Sequence, residues 1–594
     1  MQQLHGQHVL ILGLGASGLA MARWCARAGA DVTVADTREQ PPQLATLQAE
    51  WPQVKFVSGV FAASMVEGST VRAVFRSPGL SPEVVAPVVN AAQAMGLWQG
   101  GELSLFAAAL QDLKNEWGYA PQVLAITGTN GKTTVTSLTG QLVERAGKTV
   151  KVAGNIGPTL LDTLAQALVQ AQAQVEREAQ ELAEKQAQEQ AQALPEPVTA
   201  EAIQPMASDA QELSDEPRYA EGQPVDEEAE GETQDEEDTA EGAPVVMAVA
   251  APEVQQPMAL ALPQVWVLEL SSFQLDSSEG FEPSAGTVLN ISQDHLDWHG
   301  SMAAYAGAKA RIFGEKGLMV LNREDAQVMG MRPAPVKVKL QRPIERACVT
   351  FGGDMPQRPG DFGIEVTNGM TWLVRALEAD ETRRRRKDAE EELHIQRLMP
   401  ADALRIRGRH NAVNALAALA LASSAGCALA PMLYGLREYR GEPHRVEPIA
   451  VVNEVEYFDD SKGTNVGATV AALQGLGADR RVVVILGGDG KGQDFSPLAE
   501  PVSRYARAVV LIGRDAPLIR EALALCSVPV QDATDMADAV TQASVLAQSG
   551  DAVLMSPACA SFDMFKDYEH RARVFGQAVA ELAEAAGVSM EGAL

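Results

Sequence analysis

The chain has 594 residues, a net charge of −30, 46% hydrophobic residues and five scattered cysteines. That length accommodates three or more domains with sizeable cores. The composition excludes a membrane protein, a secreted disulfide scaffold and a zinc module: no apolar run reaches ~18 residues, no basic region precedes the first apolar stretch, and Cys25, Cys348, Cys427, Cys526 and Cys559 lack paired spacing, so a reducing cytoplasm is expected.

The chain opens with a strand at Val9–Leu12, the turn Gly13-Leu14-Gly15-Ala16-Ser17-Gly18, a helical stretch to about Ala28 and a second strand, Val32–Ala35, closed by Asp36. This βαβ unit carries the Gly-x-Gly-x-x-Gly turn of a Rossmann-like nucleotide site, and alone it suits a NAD enzyme equally well. Around Gly100 a second α/β region begins. Its strand Val123–Ile126 runs into Thr127-Gly128-Thr129-Asn130-Gly131-Lys132-Thr133-Thr134 and then a helical pattern. Glycines admit backbone N–H groups to phosphate oxygens, a lysine neutralises their charge, and a hydroxyl can ligate Mg²⁺. Ile126 stands where the first glycine of Gly-x-x-x-x-Gly-Lys-Ser/Thr belongs, so the match is to a shorter Gly-x-x-Gly-Lys-Thr loop.

Residues 170–260 hold 23 acidic and 3 basic residues, a net of −20, which leaves only −10 for the rest of the chain. From about Pro195 this insertion is acidic, proline-dotted and nearly free of aromatics, and is expected to be disordered; its first third could form a solvated helix. Beyond it, the strand Val265–Leu270 ends with Glu269, and Thr287–Ile291 is followed by Asp294 and His295. A carboxylate at the end of a buried strand is costly unless it meets a cation. Opposite a phosphate loop that cation is Mg²⁺, although pairing of Glu269 with a lysine and a capping role for His295 are the plainer alternative. Lys309, in the helical stretch Tyr305–Arg311, reads on its own as a surface lysine. The polar stretch 378–400, with five consecutive basic residues at 383–387 among acids, reads as a solvated hairpin and not as a nucleic-acid patch. Ala412–Ala430 reads as a buried helix. From about Gly441 a third α/β region follows, with strands Arg481–Leu486, Ala508–Ile512 and Ala552–Met555, each ending in a glycine or proline turn. Ligands of parallel sheets bind at the carboxyl ends of strands, where all these motifs lie.

The set Gly13–Gly18, Asp36–Arg38, Ser77-Pro78-Gly79, Thr127–Thr134, Gly154–Gly157, Glu269–Leu275, Asp294-His295, Lys309, His410–Asn414, Pro443–Arg445, Asp460–Asn465, Gly487–Lys491 and Ser556–Phe565 resembles the Mur ligases of peptidoglycan synthesis. The Asp-Ser-Lys-Gly-Thr-Asn and Ser-Pro-Ala-Cys-Ala-Ser patterns suit the D-glutamate-adding type. The resemblance implies three α/β domains: a Rossmann-like UDP-substrate domain (1–99), a central P-loop ATPase-like domain with a parallel sheet (100–440, interrupted at about 165–260 and 378–400), and a Rossmann-like C-terminal domain (441–594). It further implies an ATP-dependent ligase that joins D-glutamate to UDP-N-acetylmuramoyl-L-alanine, acting in the cytoplasm as a monomer, without nucleic acid. Ala16, Ser17, Asp36, Thr37, Arg38, Ser77 and Asn155 would hold the UDP-substrate. Gly128, Asn130, Gly131, Lys132, Thr133, Thr134, Asn411, Asn414, Arg445, Asp460 and Lys462 would hold ATP. Thr133, Glu269, His295 and a carbamylated Lys309 would bind two Mg²⁺ ions. Thr464, Lys491, Ser561, Phe562 and Tyr568 would bind D-glutamate, with Tyr568 standing where the family commonly has phenylalanine. Other Mur-type ligases and folylpolyglutamate-type ligases are the alternatives; in the latter the phosphate loop lies near the N-terminus, whereas here a βαβ domain precedes it.

Overall fold

Strands rich in Val, Ile and Leu and buried on both faces require helices on both sides, and three such sheets organise this protein. The computed structural model describes residues 3–192, 256–337, 343–379, 393–478 and 480–588. The first sheet contains β1 (His8–Leu12), β2 (Asp31–Asp36), β3 (Lys55–Ser58), β4 (Val71–Arg76) and β5 (Trp98–Gly100), all parallel in the order β3-β2-β1-β4-β5. The second contains β6 (Gln122–Thr127), β7 (Val150–Gly154), β8 (Val265–Glu269), β9 (Ala285–Val288), β10 (Leu318–Asn322) and β11 (Cys348–Phe351), parallel in the order β11-β10-β9-β6-β8-β7.

That second order decides where the chemistry sits. β6 lies between β8 and β9, with Ile126 level with Glu269 and Thr127 level with Val288, while Gly154 of β7 is also level with Glu269. The phosphate loop, Glu269, and the turns after β7 and β9 therefore leave one edge of one sheet together. The helix Lys132–Arg145 packs against the helix Arg409–Ser424, and its Leu138 and Leu142, both without exposed surface, lie in the same core as that helix. Each such leucine contributes about 1.5–3 kcal/mol by burial, and the alanines of the partner helix let the two backbones approach closely.

The segment between these sheets corrects one sequence reading. β12 (Phe362–Thr367), β13 (Met370–Glu378) and β14 (Leu393–Pro400) form a small antiparallel sheet, so residues 393–400 belong to a paired strand and not to an insertion. The expected hairpin survives as the β13–β14 pairing, while its basic run lies outside the described residues. The last sheet contains β15 (Glu447–Val452), β16 (Val455–Asp459), β17 (Val482–Gly487), β18 (Ala506–Ile512), β19 (Val530–Asp532) and β20 (Ala552–Met555) in the order β15-β16-β20-β17-β18-β19. Its only antiparallel member is the edge strand β15.

Residues 1–173 and 255–594 make one compact unit and residues 174–254 a second. In the second unit residues 174–192 are helical, part of Leu160–Gln192, as expected for the start of the acidic insertion. The stretch expected to be disordered lies outside the described residues from 193 to 255. Among the described residues no helix is long and apolar enough to cross a membrane.

Candidate active site

The turn after β6 is shaped by two glycines with left-handed or mirror-extended backbone, Gly128 (φ 155°) and Gly131 (φ 82°). A Cβ on Gly128 would lie 2.9 Å from Leu289 Cβ, and one on Gly131 would lie 2.8 Å from Asn414 Oδ1, so neither position admits a side chain. Lys132 opens the following helix, and its Nζ donates to the carbonyls of Gly128 and Thr129, both at 2.9 Å. The ammonium thus rests on carbonyls of its own loop, where phosphate oxygens are the stronger partners. Burial lowers its pKa, Glu269 and Asp294 oppose that shift, and Arg445 adds to it.

Lys309 overturns its reading as a surface side chain. It is 1% exposed on the helix Met302–Ala310, and its Nζ donates to Gly128 O at 2.8 Å and Thr127 Oγ1 at 3.2 Å, 4.7 Å from the Tyr305 ring centroid. Two lysine ammonium groups, Lys132 and Lys309, therefore converge on the single carbonyl of Gly128. Burial first, then the neighbouring Lys132 charge, hold the Lys309 pKa well below the ordinary lysine range against the pull of Asp294 and Glu269. Glu269 is also 1% exposed, and its Oε1 accepts a 3.0 Å hydrogen bond from Asn155 Nδ2. Asn155 is thereby placed at the Glu269 carboxylate, its own N–H also bonded to Glu269 O at 2.8 Å. His295 has a left-handed backbone (φ 53°), its Nε2 lies 3.6 Å from Asp294 Oδ2, and its ring meets Phe273 edge-on at 4.8 Å. Burial lowers its pKa, Asp294 opposes, and Lys132, Lys491 and Lys309 add to the lowering, which places Lys491 within electrostatic reach of this group. Among the described residues, the three metal-capable side chains whose donor atoms all lie within 4.8 Å are His444, Glu447 and Asp459, not Glu269 with Asp294 and His295.

The third sheet closes on this loop through several contacts. Arg445 Nη2 donates to Thr133 Oγ1 at 2.6 Å, and the amides of Asn130 and Asn465 pair with each other at 3.1 and 3.4 Å. Asn465 caps the helix Val466–Gly477 and was given no role from sequence. Asn411 and Asn414 sit one helical turn apart and bond to each other at 3.2 Å, with Asn414 against Gly131. Asp460 is buried and accepts from Ser556 Oγ at 2.6 Å; burial pushes its carboxyl up to about 7, with Ser556 and Arg445 opposing. Lys462 Nζ lies 3.7 Å from the Tyr568 ring centroid, and burial lowers its pKa to about 8. Tyr568 thus stands beside Lys462 and His444, on the side expected for ATP.

The residues expected for D-glutamate are joined by backbone. Asp489 and Ala560 exchange two hydrogen bonds of 2.9 and 2.8 Å, tying the Gly487–Lys491 turn to the turn that bears buried Ser561 and exposed Phe562. Thr464 follows in the Asp460–Asn465 turn, its N–H bonded to Lys462 O at 2.8 Å. Lys491 is exposed, with φ 50°, and its N–H donates to Asp489 Oδ1 at 3.0 Å. Sequence reasoning missed the brace of this turn, Arg514 and Asp515. Asp515 Oδ2 accepts from Gly490 N at 2.7 Å, and Arg514 bonds Asp489, Asp515 and, through its N–H, Asp563. The Gly-Arg-Asp after β18 sits at a strand end like the other motifs, and that placement was the signal available.

In the first sheet, Asp36 is buried at the end of β2 and uses both oxygens internally. Oδ2 accepts from Leu14 N at 2.7 Å and Arg38 Nη2 at 2.8 Å, and Oδ1 from Arg38 N at 3.0 Å and Nε at 2.8 Å. Burial pushes its pKa up, but the Arg38 and Leu14 bonds outweigh it and hold it at about 2. Asp36 therefore acts by fixing the Gly13–Gly15 turn and Arg38, with Thr37 exposed between them. Ser77 closes against the same turn: a Cβ on Gly13 would lie 3.0 Å from Ser77 Cβ. Exposed Ala16 and half-buried Ser17 open the next helix.

Comparison with known proteins agrees with this geometry sheet by sheet. Family models match residues 7–98 (Mur ligase MurD-like, N-terminal domain), 126–194 with 247–348 (Mur ligase middle domain) and 444–559 (Mur ligase, glutamate ligase domain). The chain is 61% identical over 593 residues to the UDP-N-acetylmuramoylalanine--D-glutamate ligase of Albidiferax ferrireducens, with 100% of each covered. It is 53% identical to the protein of that name from Polaromonas sp. (99% of this chain, 100% of that one) and 49% identical to that from Burkholderia mallei (98% of each). Three matched domains and relatives this similar over their whole length make the chain a member of the Mur ligase family.

Proposed function

We propose that this chain joins D-glutamate to UDP-N-acetylmuramoyl-L-alanine at the expense of ATP, in the making of peptidoglycan precursors in the cytoplasm. The observation that supports this most is the full-length 61% identity to a relative bearing that activity in its name. A folylpolyglutamate-type reading is not favoured, because the N-terminal match at 7–98 is to the MurD-like domain.

The donor set suits Mg²⁺: a buried carboxylate (Glu269), a hydroxyl (Thr133), an imidazole (His295) and, once carbamylated, Lys309. Mg²⁺ held by these residues would supply neutralisation of the phosphate charge of ATP and of the transferred group. Carbamylation requires a free amine to attack CO₂, and a buried lysine with a depressed pKa supplies one.

The residues then divide the work. Lys132 presents its ammonium to the β- and γ-phosphates from the end of the Gly128–Gly131 turn, whose Thr129 and Asn130 N–H groups are held by Asn290; Asn411 and Asn414 flank the loop; Arg445, Asp460 and Lys462 approach from the third sheet. Asn155, bonded to Glu269, orients the terminal carboxylate of the UDP-substrate, which takes the γ-phosphoryl group to give an acyl phosphate. Lys491, Thr464, Ser561 and Phe562 hold D-glutamate so that its amine faces that carbonyl carbon. Attack forms the amide bond and releases phosphate. Catalysis rests on positioning and charge neutralisation. Incubating the purified protein with ATP, Mg²⁺, UDP-N-acetylmuramoyl-L-alanine and D-glutamate tests this: ADP release that needs all of them supports it, and release with D-glutamate omitted counts against it.

A further inference from the structure

The backbone and the side chain of Asn130 are held by different parts of the fold. Its N–H donates to Asn290 Oδ1 at 2.8 Å, and its carbonyl accepts from Asn290 Nδ2 at 3.1 Å. Next to it, Thr129 N donates to Asn290 O at 2.9 Å, and Thr129 Oγ1 accepts from Ser292 N at 3.0 Å. The turn after β9 thus holds the phosphate loop's backbone from its own side of the molecule. The Asn130 carboxamide takes no part in this. Among the described residues its partner is Asn465, which precedes the third sheet's helix Val466–Gly477.

Asn465 is 7% exposed and works in two directions. Its Oδ1 accepts from Ala468 N at 2.9 Å, which caps the helix, and also from Asn130 Nδ2 at 3.4 Å, while its Nδ2 donates to Asn130 Oδ1 at 3.1 Å. Each carboxamide of the pair gives one N–H and accepts one, so the pair fixes direction as well as distance. The helix approaches closely around it: a Cβ at Gly467 would stand 3.1 Å from both Asn130 Nδ2 and Ser292 Oγ. At the other end of the same helix, a Cβ at Gly475 would stand 2.7 Å from His410 Cε1. Packing of that kind has no directional preference, whereas the amide pair admits one placement of the helix start.

A second polar bridge joins the same two parts, since Arg445 Nη2 donates to Thr133 Oγ1 at 2.6 Å. On the reading above, which this inference rests on, both of those residues hold ATP or its Mg²⁺ and would exchange their mutual bond for the ligand. The Asn130–Asn465 pair is under no such demand. Asn465 also ends the turn Asp460–Asn465, which on that reading carries Lys462 for ATP and Thr464 for D-glutamate. We propose that Asn465 is a positioning residue: through its amide pair with Asn130 it seats this turn on the phosphate loop, so that groups from the third sheet meet the phosphates held by the second. Asn130 acts on ATP in the same way, through the placement of its neighbours.

A double-mutant cycle on the full-length chain tests this. Asn465→Ser keeps a good helix cap but is too short to reach Asn130, so it should melt within a few degrees of the wild type. Its kcat/KM for ATP, read from ADP release, should fall about five- to tenfold, while the calorimetric Kd for UDP-N-acetylmuramoyl-L-alanine stays unchanged. Asn130→Ala should lose at least as much, and the double variant no more than Asn130→Ala alone, because each side chain acts through the other. Losses that multiply in the double variant would overturn the proposal, as would a wild-type kcat/KM in Asn465→Ser. If Asn465→Ser melts early, Asn465→Asp takes its place in the cycle, since it keeps the capping oxygen and cannot donate to Asn130 Oδ1. A wild type that releases no ADP with D-glutamate would overturn the ligase reading instead, and the same cycle read on the Kd for ADP with Mg²⁺ then decides the role of Asn465 by the same criterion.

Discussion

Lys309→Met separates the chemical role of this lysine from a packing role, because methionine keeps an unbranched stem of similar length. The variant loses the bonds from Nζ to Gly128 O and Thr127 Oγ1, each worth about 0.5–1.5 kcal/mol net. Gly128 O keeps its bond from Lys132 at 2.9 Å. Against that loss, the variant no longer buries an amine that is 1% exposed beside a second ammonium, a cost of several kcal/mol when such a group is charged. The two effects nearly cancel, so the melting temperature should move by only a few degrees. Activity should behave differently. Losing a carboxylate-like ligand that stabilises the phosphoryl-transfer charge costs about 3–4 kcal/mol, a drop of about 10²–10³ in kcat. ADP release measures the rate, and added acetate or formate should restore part of it. In ¹³CO₂ the wild type should show a carbamate resonance that the variant lacks. A well-folded Lys309→Met protein retaining more than about a tenth of wild-type turnover refutes the reasoning.

Three other outcomes follow from the geometry. Lys491 is exposed in the structure, so where bound D-glutamate desolvates the pair (~2–5 kcal/mol), Lys491→Ala should raise the Michaelis constant for D-glutamate by about 30-fold or more and leave that for the UDP-substrate nearly unchanged; the reverse pattern would move Lys491 to another subsite. Asp460 has a folded pKa raised by burial to about 7, so its contribution to stability is complete below its unfolded value near 4 and is lost as pH rises through about 7. Relative to Asp460→Asn, the wild type should lose up to ~1.4 kcal/mol per pH unit across that window and then level off; urea titrations giving the same difference at pH 5 and pH 8 would remove the argument. The middle-domain match skips residues 195–246, so replacing them with a short Gly/Ser linker should keep activity within a few-fold, and loss of folding on replacement would show that the segment is needed.

The strand-end logic made much of the site legible. Glu269, Lys132 and the Gly13–Gly18 turn follow apolar strands directly, and a parallel sheet carries such turns to one edge. Lys309 was not legible from its own helix, because its nine residues Met302–Ala310 are mostly small and do not mark a buried face. Its burial comes from Tyr305 and the loop after β6, which only the fold brings there. The β12–β14 sheet was hidden because β14 begins directly after a charged stretch, and burial along it is discontinuous. The Arg514–Asp515 brace was passed over because its partners Asp489 and Asp563 are far away in sequence.

The central claim is tested most directly by ADP release from the wild-type chain across a panel that pairs UDP-N-acetylmuramate, its L-alanyl derivative and the L-alanyl-D-glutamyl derivative with L-alanine, D-glutamate, L-glutamate, L-lysine and diaminopimelate. The account predicts turnover with the L-alanyl precursor and D-glutamate that exceeds every other pair by orders of magnitude. Comparable turnover with L-lysine or diaminopimelate, or with a precursor lacking L-alanine, would contradict it.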